Sequence, residues 1–285
     1  MCKLITVDIG SFNIKTSSKG IIGQNRFYKD NYIETFGLDY VKIDNDTYIV
    51  GGDFDKEFIK CKKNIQVPLF YALAKSDIQE VSEINLILHL PASQISNKSF
   101  LVDMLQNKTF EYVVNGKEYK TTFKKVGVLK EGWTSFYSLK KRNEGLIGII
   151  DIGGRTTDCF TFEDGKLRNE KSINIGMLNI FNDITDRLIA NGNNRNIEEI
   201  HTLLTNDIIS IDDYKDILEK YSNKIINDLK LSIPNIKDFK IHLTGGGATY
   251  LIDIFKANGF KAELMNNALN SNCEGSYNIG KAKGL

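Results

Sequence analysis

IIDIGGRTTD, residues 149–158, sets isoleucines around one aspartate and then breaks the run with two glycines. The same arrangement stands near the start of the chain, where residues 7–11 read VDIGS. A β-branched run forms a strand, and glycine at its end permits a tight turn. A strand closing on Asp-x-Gly carries its carboxylate at the C-terminal edge of a sheet, beside a turn whose backbone N–H groups can face outward. That geometry suits phosphate oxygens on the amides and a hydrated Mg2+ near the acid. An isolated Asp-x-Gly is ordinarily no more than a strand-to-turn cap. Here two of them stand 143 residues apart in a chain of 285, with neighbouring elements in the same order, as duplication of a β-rich α/β half would leave them. Facing one another, two such turns could clamp a triphosphate from both sides. A third glycine-rich turn, Gly245-Gly246-Gly247, ends the strand IHLT and would let a flat ring approach the backbone closely. The two common nucleotide loops are absent: there is no G-x-x-x-x-G-K-[ST], and no G-x-G-x-x-G follows the first strand.

Composition narrows the classes further. With 41% hydrophobic residues the chain can bury a real core, and its length suits two modest domains. Its 37 basic and 36 acidic residues leave a net charge of +1, so no global field drives binding to nucleic acid or acidic membranes. Any contact with nucleic acid would have to be local or borrowed from a partner, and no membrane contact is expected. Cys2, Cys61, Cys159 and Cys273 lie far apart with no C-x-x-C pair, which reads as reduced thiols and argues against zinc. The N-terminus enters a strand pattern at Lys3 without a signal-like apolar region, and no apolar run approaches the roughly 18 residues of a membrane span. The expectation is a soluble, cytoplasmic protein.

Along the chain, the first 54 residues read as a β-meander whose last hairpin, YVKIDNDTYIVGGDF (residues 40–54), turns at Asn45-Asp46. Residues 55–77 have helical spacing, with Pro68 starting a second helix. EINLILHLP is a buried strand ending at Pro91, a helix follows near 94–105, and Asn115-Gly116 marks a strong hairpin. GWTSFYSLKK fits a short helix. The second half repeats strands around Gly153-Gly154 and Asp164-Gly165, then turns helical from Met177 with a polar break at 190–196. IDIFKAN is the helix after the three glycines.

VDIGSFNIK, VGVLKEGWTSFYSL, IIDIGGRTTD, IHLTGGGATYL and EGSYNIGKAKG follow in order the phosphate 1, connect 1, phosphate 2, adenosine and connect 2 segments of the actin, Hsp70 and sugar-kinase ATPase superfamily. Within it the chain resembles the bacterial actin-like proteins that segregate plasmids, the ParM and AlfA type. YIVGGDF, LHLPASQ and VNGKEYKTTFKKVGVLKEG resemble stretches of that group. The resemblance implies an α/β, actin-like fold of two RNase H-like domains flanking a nucleotide cleft. Domain I would span residues 1–143 with a small subdomain inserted at about 28–70, domain II residues 144–270, and a C-terminal return segment 271–285 would pack on domain I.

The same resemblance implies roles. Asp8 and Asp151 match the two acids that hold Mg2+ through water, and Gly10, Ser11, Phe12 and Asn13 match the phosphate 1 turn. Lys15 falls where actins place a lysine reaching the phosphates; the alternative is a solvated strand lysine. Gly153, Gly154, Arg155 and Thr156 match the phosphate 2 turn, although Arg155 departs from the small or acidic residues common there. It would touch either nucleotide or solvent. Glu131 occupies the connect 1 position that orients the attacking water, against the alternative of an exposed loop glutamate. Gly245, Gly246 and Gly247 would line adenine and ribose. Asp158 is either a supporting residue behind the site or an ordinary strand polar. The implied cofactors are Mg2+ and ATP, with GTP as the alternative nucleotide.

Actins place subdomain IIB between the segments that end here at Gly176 and Gly245. Only 68 residues lie between those glycines, and the stretch left over at about 190–213 is too short for a subdomain with its own core. Subdomain IIB is therefore expected to be absent or reduced to a helix and loop, as in the AlfA type. The function implied is an ATPase that polymerises head to tail on binding nucleotide and moves plasmid copies through a small DNA-binding adaptor of the ParR type. A small-molecule kinase of the same superfamily and an ATP-binding scaffold with little turnover are the alternatives. The kinase needs a substrate pocket, for which LPASQISNK offers no Asn-Asp pair.

Overall fold

The computed structural model describes residues 2–285, and the chain divides into two compact units, Met1–Lys140 with Leu269–Leu285, and Lys141–Ala268. Each is built on one sheet.

In the first unit the strands are β1 (Lys3–Ile9), β2 (Asn13–Thr16), β3 (Gly20–Gln24), β4 (Phe27–Lys29), β5 (Tyr40–Ile43), β6 (Asp46–Val50), β7 (Val81–Leu90), β8 (Thr109–Val114) and β9 (Lys117–Lys130). They lie in the order β3-β2-β1-β7-β9-β8-β5-β6-β4. Helix α1 (Gln66–Lys75) covers one face and α2 (Lys98–Leu105) follows a 3₁₀ turn at Ala92–Asn97. Alternation along β1 and β7 sends Ile5, Val7, Ile9, Leu86, Leu88 and Leu90 into one cluster with Leu69, Phe70 and Leu73 of α1. Phe70 stacks on Tyr112 with ring centroids 4.2 Å apart, and burying each such side chain contributes about 1.5–3 kcal/mol. The C-terminal helix, Ser271–Ala282, packs against β1 and a 3₁₀ turn at Thr134–Ser138.

The second unit holds β10 (Leu146–Ile152), β11 (Thr157–Glu163), β12 (Lys166–Ile173), β13 (Lys240–Thr244) and β14 (Lys261–Leu264) in the order β12-β11-β10-β13-β14. Helices α5 (Lys215–Ser232) and α6 (Ala248–Ala257) pack against it, α3 (Met177–Ala190) packs on α5, and α4 (Ile197–Thr205) packs on α3. From Ile147 onward β10 is buried at every residue, which is why it reads as a continuous apolar run rather than an alternating one.

The two sheets trace one path twice. β1-β2-β3 and β10-β11-β12 are antiparallel, and the next two strands in each sheet, β7 then β9 and β13 then β14, run parallel to the first. Asp8 pairs with Lys15 across β1 and β2, and Asp151 with Asp158 across β10 and β11, both pairs offset by the same 143 residues. That congruence is the structural form of the repeat in the sequence.

Several local expectations are corrected. The hairpin after Tyr40 turns at Asp44-Asn45, since Ile43 pairs with Asp46 and Asp44 takes the left-handed φ of 53°. Asp tolerates that conformation through its short polar side chain. Residues 55–65 form no α-helix, only a 3₁₀ turn at Lys60–Lys62, and α1 begins at Gln66, so Pro68 lies within its first turn. A proline there loses no helical hydrogen bond. The helix after the three glycines starts at Ala248, well before Ile252. β14 has no counterpart in the sequence reading: four residues, mostly exposed, carry too little periodicity. Between Ile173 and Lys240 the described residues contain helices and no strand, so no sheet-containing subdomain IIB is present. Among the described residues no helix is long and apolar enough to cross a membrane.

Candidate functional site

Each repeat builds the same turn. The Gly10 N–H donates to the carbonyl of Asn13 at 2.9 Å, and the Gly153 N–H donates to the carbonyl of Thr156, also at 2.9 Å. A Cβ on Gly10 would stand 2.8 Å from the Asn13 oxygen and one on Gly153 would stand 3.1 Å from the Thr156 oxygen, so glycine is what lets the chain fold back this tightly. Asp8 and Asp151 sit two residues before these glycines, 2% and 6% exposed.

In the first unit Asn25 ties the turn down: its side-chain amide donates to the Gly10 carbonyl at 2.8 Å and its backbone N–H donates to that of Phe12 at 2.7 Å. The Phe12 ring packs on Phe54, centroids 4.9 Å apart, while Ser11 and Asn13 are half-buried. Lys15 is not a solvated strand lysine. Its ammonium donates to Asp8 Oδ2 at 2.8 Å. A second ammonium, that of Lys60, lies 3.8 Å from Asp8 Oδ1 and forms a short ion pair with Glu131. Burial alone would raise the Asp8 carboxyl, but Lys15 and Lys60 together hold it well below the usual carboxylate range. Asp8 Oδ1 is buried without a hydrogen-bond partner among the described residues. Glu131 is half-buried rather than an exposed loop glutamate. Its backbone N–H donates to Leu90, and the loop after it is fixed by Asn272, whose Oδ1 accepts from the Gly132 N–H, Thr134 Oγ1 and Ser135 Oγ, each at 2.8 Å.

In the second unit the phosphate 2 segment and the three glycines meet. Thr244 pairs with Asp151 across β13 and β10, and the Gly247 N–H donates to the Ile152 carbonyl at 2.9 Å. Gly245 has φ of +84°, and a Cβ there would overlap the Asp151 carboxylate. A Cβ on Gly247 would overlap Ile152 and stand 2.9 Å from Met177 Sδ. These two glycines are thus required by the protein's own packing, and Gly246 is the exposed one of the three. The carbonyls of Gly153 and Gly154 accept from the N–H groups of Met177 and Leu178 at 3.0 and 2.8 Å, joining the turn to the start of α3. Thr156 Oγ1 donates to Asp158 Oδ2 at 3.2 Å, with Asp158 2% exposed, and Arg155 is half-buried.

Residues 149–257, within the second unit, match the family model of the archaeal actin homologue MreB-like, C-terminal. The archaeal actin homologue Ta0583 in complex with ADP is similar over 99% of both chains at 16% identity, with a TM-score of 0.78. The chain has an actin-like fold. A 15-stranded ParM filament from Clostridium botulinum is similar at 21% identity over 99% of this chain and 100% of that one, TM-score 0.77. AlfA in a filament bound to AMPPNP is similar at 18% identity over 99% and 98%, TM-score 0.67. No curated protein matches the chain. The resemblance to ParM and AlfA proteins, carried in the sequence by YIVGGDF, LHLPASQ and VNGKEYKTTFKKVGVLKEG, holds at the level of the fold.

Lys60 and His89 are among the residues of this actin-like chain that the sequence reading does not place at the site. Lys60 lies in the run KCKKN, which has the composition of a solvated helical face. His89 is 3% exposed, with Nδ1 3.2 Å from the Val7 carbonyl and Nε2 buried without a partner among the described residues. Burial pushes its pKa down to about 4, against the opposing pull of Asp8. The folded protein therefore binds fewer protons at this site than the unfolded chain between pH 6.5 and about 4. Stability from this group is complete above pH 6.5 and falls as pH drops through that window, by up to about 3 kcal/mol. Thermal melts from pH 7 to 4 are expected to show a smaller loss in His89→Gln than in the parent protein. Parallel curves would contradict the assignment.

Proposed function

We propose that the chain is an ATPase that forms filaments on binding nucleotide and segregates plasmid DNA through a small DNA-binding adaptor of the ParR type. The observation that carries this reading is the duplicated Asp-turn, with identical hydrogen-bond closure at Gly10 and Gly153. The similarity to ParM and AlfA filaments, and to relatives holding ADP and AMPPNP, supports it.

Each unit by itself offers groups of the kind that suit a metal-bound phosphate. Asp8 and Asp151 are buried acids at strand ends, Asp8 Oδ1 has no hydrogen bond among the described residues, and the glycine turns bring backbone close without side-chain bulk. Asp8 and Asp151 would hold Mg2+ through water, residues 10–13 and 153–156 would face phosphate, and the turn at 245–247 would face the nucleoside. Bound Mg2+ supplies charge neutralisation at the phosphates being separated. Lys15 adds a point charge beside Asp8 that can turn to phosphate oxygens. Glu131 holds a water in line for attack. The near-neutral net charge agrees with DNA contact delegated to an adaptor.

Phosphate release by purified protein tests the reading. Glu131→Ala is expected to slow it about a hundredfold while filaments still form with Mg-ATP. Equal rates in the two proteins would remove the water-orienting role.

A further inference from the structure

Lys60 stands on the segment between β6 and α1, far in sequence from every motif of the site. The residue is 7% exposed, and its ammonium donates to the His89 carbonyl at 3.3 Å as well as pairing with Glu131. Burying an ammonium costs several kcal/mol of hydration unless acids and hydrogen bonds replace the water. Burial would push its pKa down, but Glu131 and then Asp8 hold it above the usual lysine value. The backbone of Lys60 is held as firmly as its side chain. Its N–H donates to Gln94 Oε1 at 2.9 Å, and Gln94 Nε2 donates to the Phe58 carbonyl at 3.1 Å. Gln94 is itself 3% exposed, in the turn that follows β7.

The charges that surround this ammonium divide unequally. Asp8 on β1 already has Lys15 on β2 at 2.8 Å, against 3.8 Å to Lys60. His89, from β7, is neutral above pH 6.5, its pKa being about 4. The close carboxylate partner of Lys60 is therefore Glu131.

We propose that Lys60, fixed by Gln94, is a positioning residue that holds the Glu131 carboxylate in place for hydrolysis. The proposal rests on the reading of Glu131 as the acid that orients the attacking water. A carboxylate on a loop has several rotamers, and displacement by about 1 Å can cost a hundredfold in rate. A fixed counter-charge selects one of them. Gln94 matters because an ammonium on a loose segment would carry Glu131 with it.

The test uses Lys60→Met, Lys60→Arg and Gln94→Leu in the full chain. Lys60→Met is expected to lower Mg-ATP turnover by roughly tenfold to a hundredfold, with the dissociation constant of a fluorescent ATP analogue within about threefold of the parent. Lys60→Arg is expected to recover most of the loss, and Gln94→Leu to fall between. A second readout needs no nucleotide. Melts of Lys60→Met, Glu131→Gln and the double variant are expected to be non-additive, the double variant losing less than the two single losses combined. Additive melts would overturn the pairing. Unchanged turnover in Lys60→Met, or affinity lost in step with turnover, would overturn the positioning role, the second result placing the ammonium on phosphate instead. If the parent protein releases no phosphate, the ATPase reading fails and the positioning role with it, whereas non-additive melts would still establish the ion pair.

Discussion

Gly275→Ala is expected to lower the melting temperature by roughly 10 °C, equivalent to about 3 kcal/mol or more for a chain of this size. Gly275 lies on the C-terminal helix where it crosses the turn at Thr134–Ser138. A Cβ there would overlap the Thr134 carbonyl oxygen and stand 2.6 Å from its carbon and 3.3 Å from the Ser138 nitrogen. All three are backbone atoms, so no rotamer change relieves the clash and the helix must move away. The same helix presents Asn272 to Gly132, Thr134 and Ser135, so the movement also releases the loop carrying Glu131. Loss of turnover is expected to accompany loss of stability. Gly23→Ala is the control: its Cβ meets nothing within 4 Å, and its melting temperature is expected to stay within about 2 °C of the parent. A Gly275→Ala protein melting like that control would contradict the packing described.

Asp151→Ala is expected to abolish phosphate release, a loss of at least about a hundredfold to a thousandfold, while the protein stays folded. The carboxylate stands near the end of β10, between Asp158 on β11 and Thr244 on β13, and is packed against Gly245. Strands on both sides fix it. A residue buried at 6% exposure, held by three strands and two glycine turns, has little freedom to be replaced by a neighbour's acid. Asp151→Asn keeps the volume and removes the charge, separating electrostatics from packing. It is expected to lose turnover nearly as completely with a melting temperature close to the parent's. Turnover retained in Asp151→Asn would show that charge at this position is not required.

The repeated turn was legible because both its ingredients are local. A β-branched run forces a strand, and glycine is the residue that can bring Gly10 back on Asn13 and Gly153 on Thr156. The hairpin at Asn115-Gly116 was legible for the same reason, both residues adopting positive φ, 51° and 80°. The turn after Ile43 was missed by one position because three consecutive residues, Asp44, Asn45 and Asp46, tolerate turns almost equally, and strand register chose among them. Lys60 was illegible because its partner Glu131 is 71 residues away and nothing in KCKKN distinguishes its buried ammonium from those of Lys62 and Lys63. The same holds for Gln94 and Asn272, polar residues whose work is to bind backbone and side chains from distant segments. The glycines at 245 and 247 were legible as a close approach, but the sequence could not tell that the approaching groups are Asp151 and Ile152.

Nucleotide-dependent assembly is tested by sedimentation with negative-stain microscopy of the purified chain in Mg-ATP, Mg-GTP, Mg-ADP and no nucleotide. Phosphate release is followed in parallel, with Asp151→Ala as control. Filaments that pellet with Mg-ATP and release phosphate are expected, with none in the absence of nucleotide and no release from Asp151→Ala. Protein that stays in the supernatant under every condition would contradict nucleotide-dependent assembly.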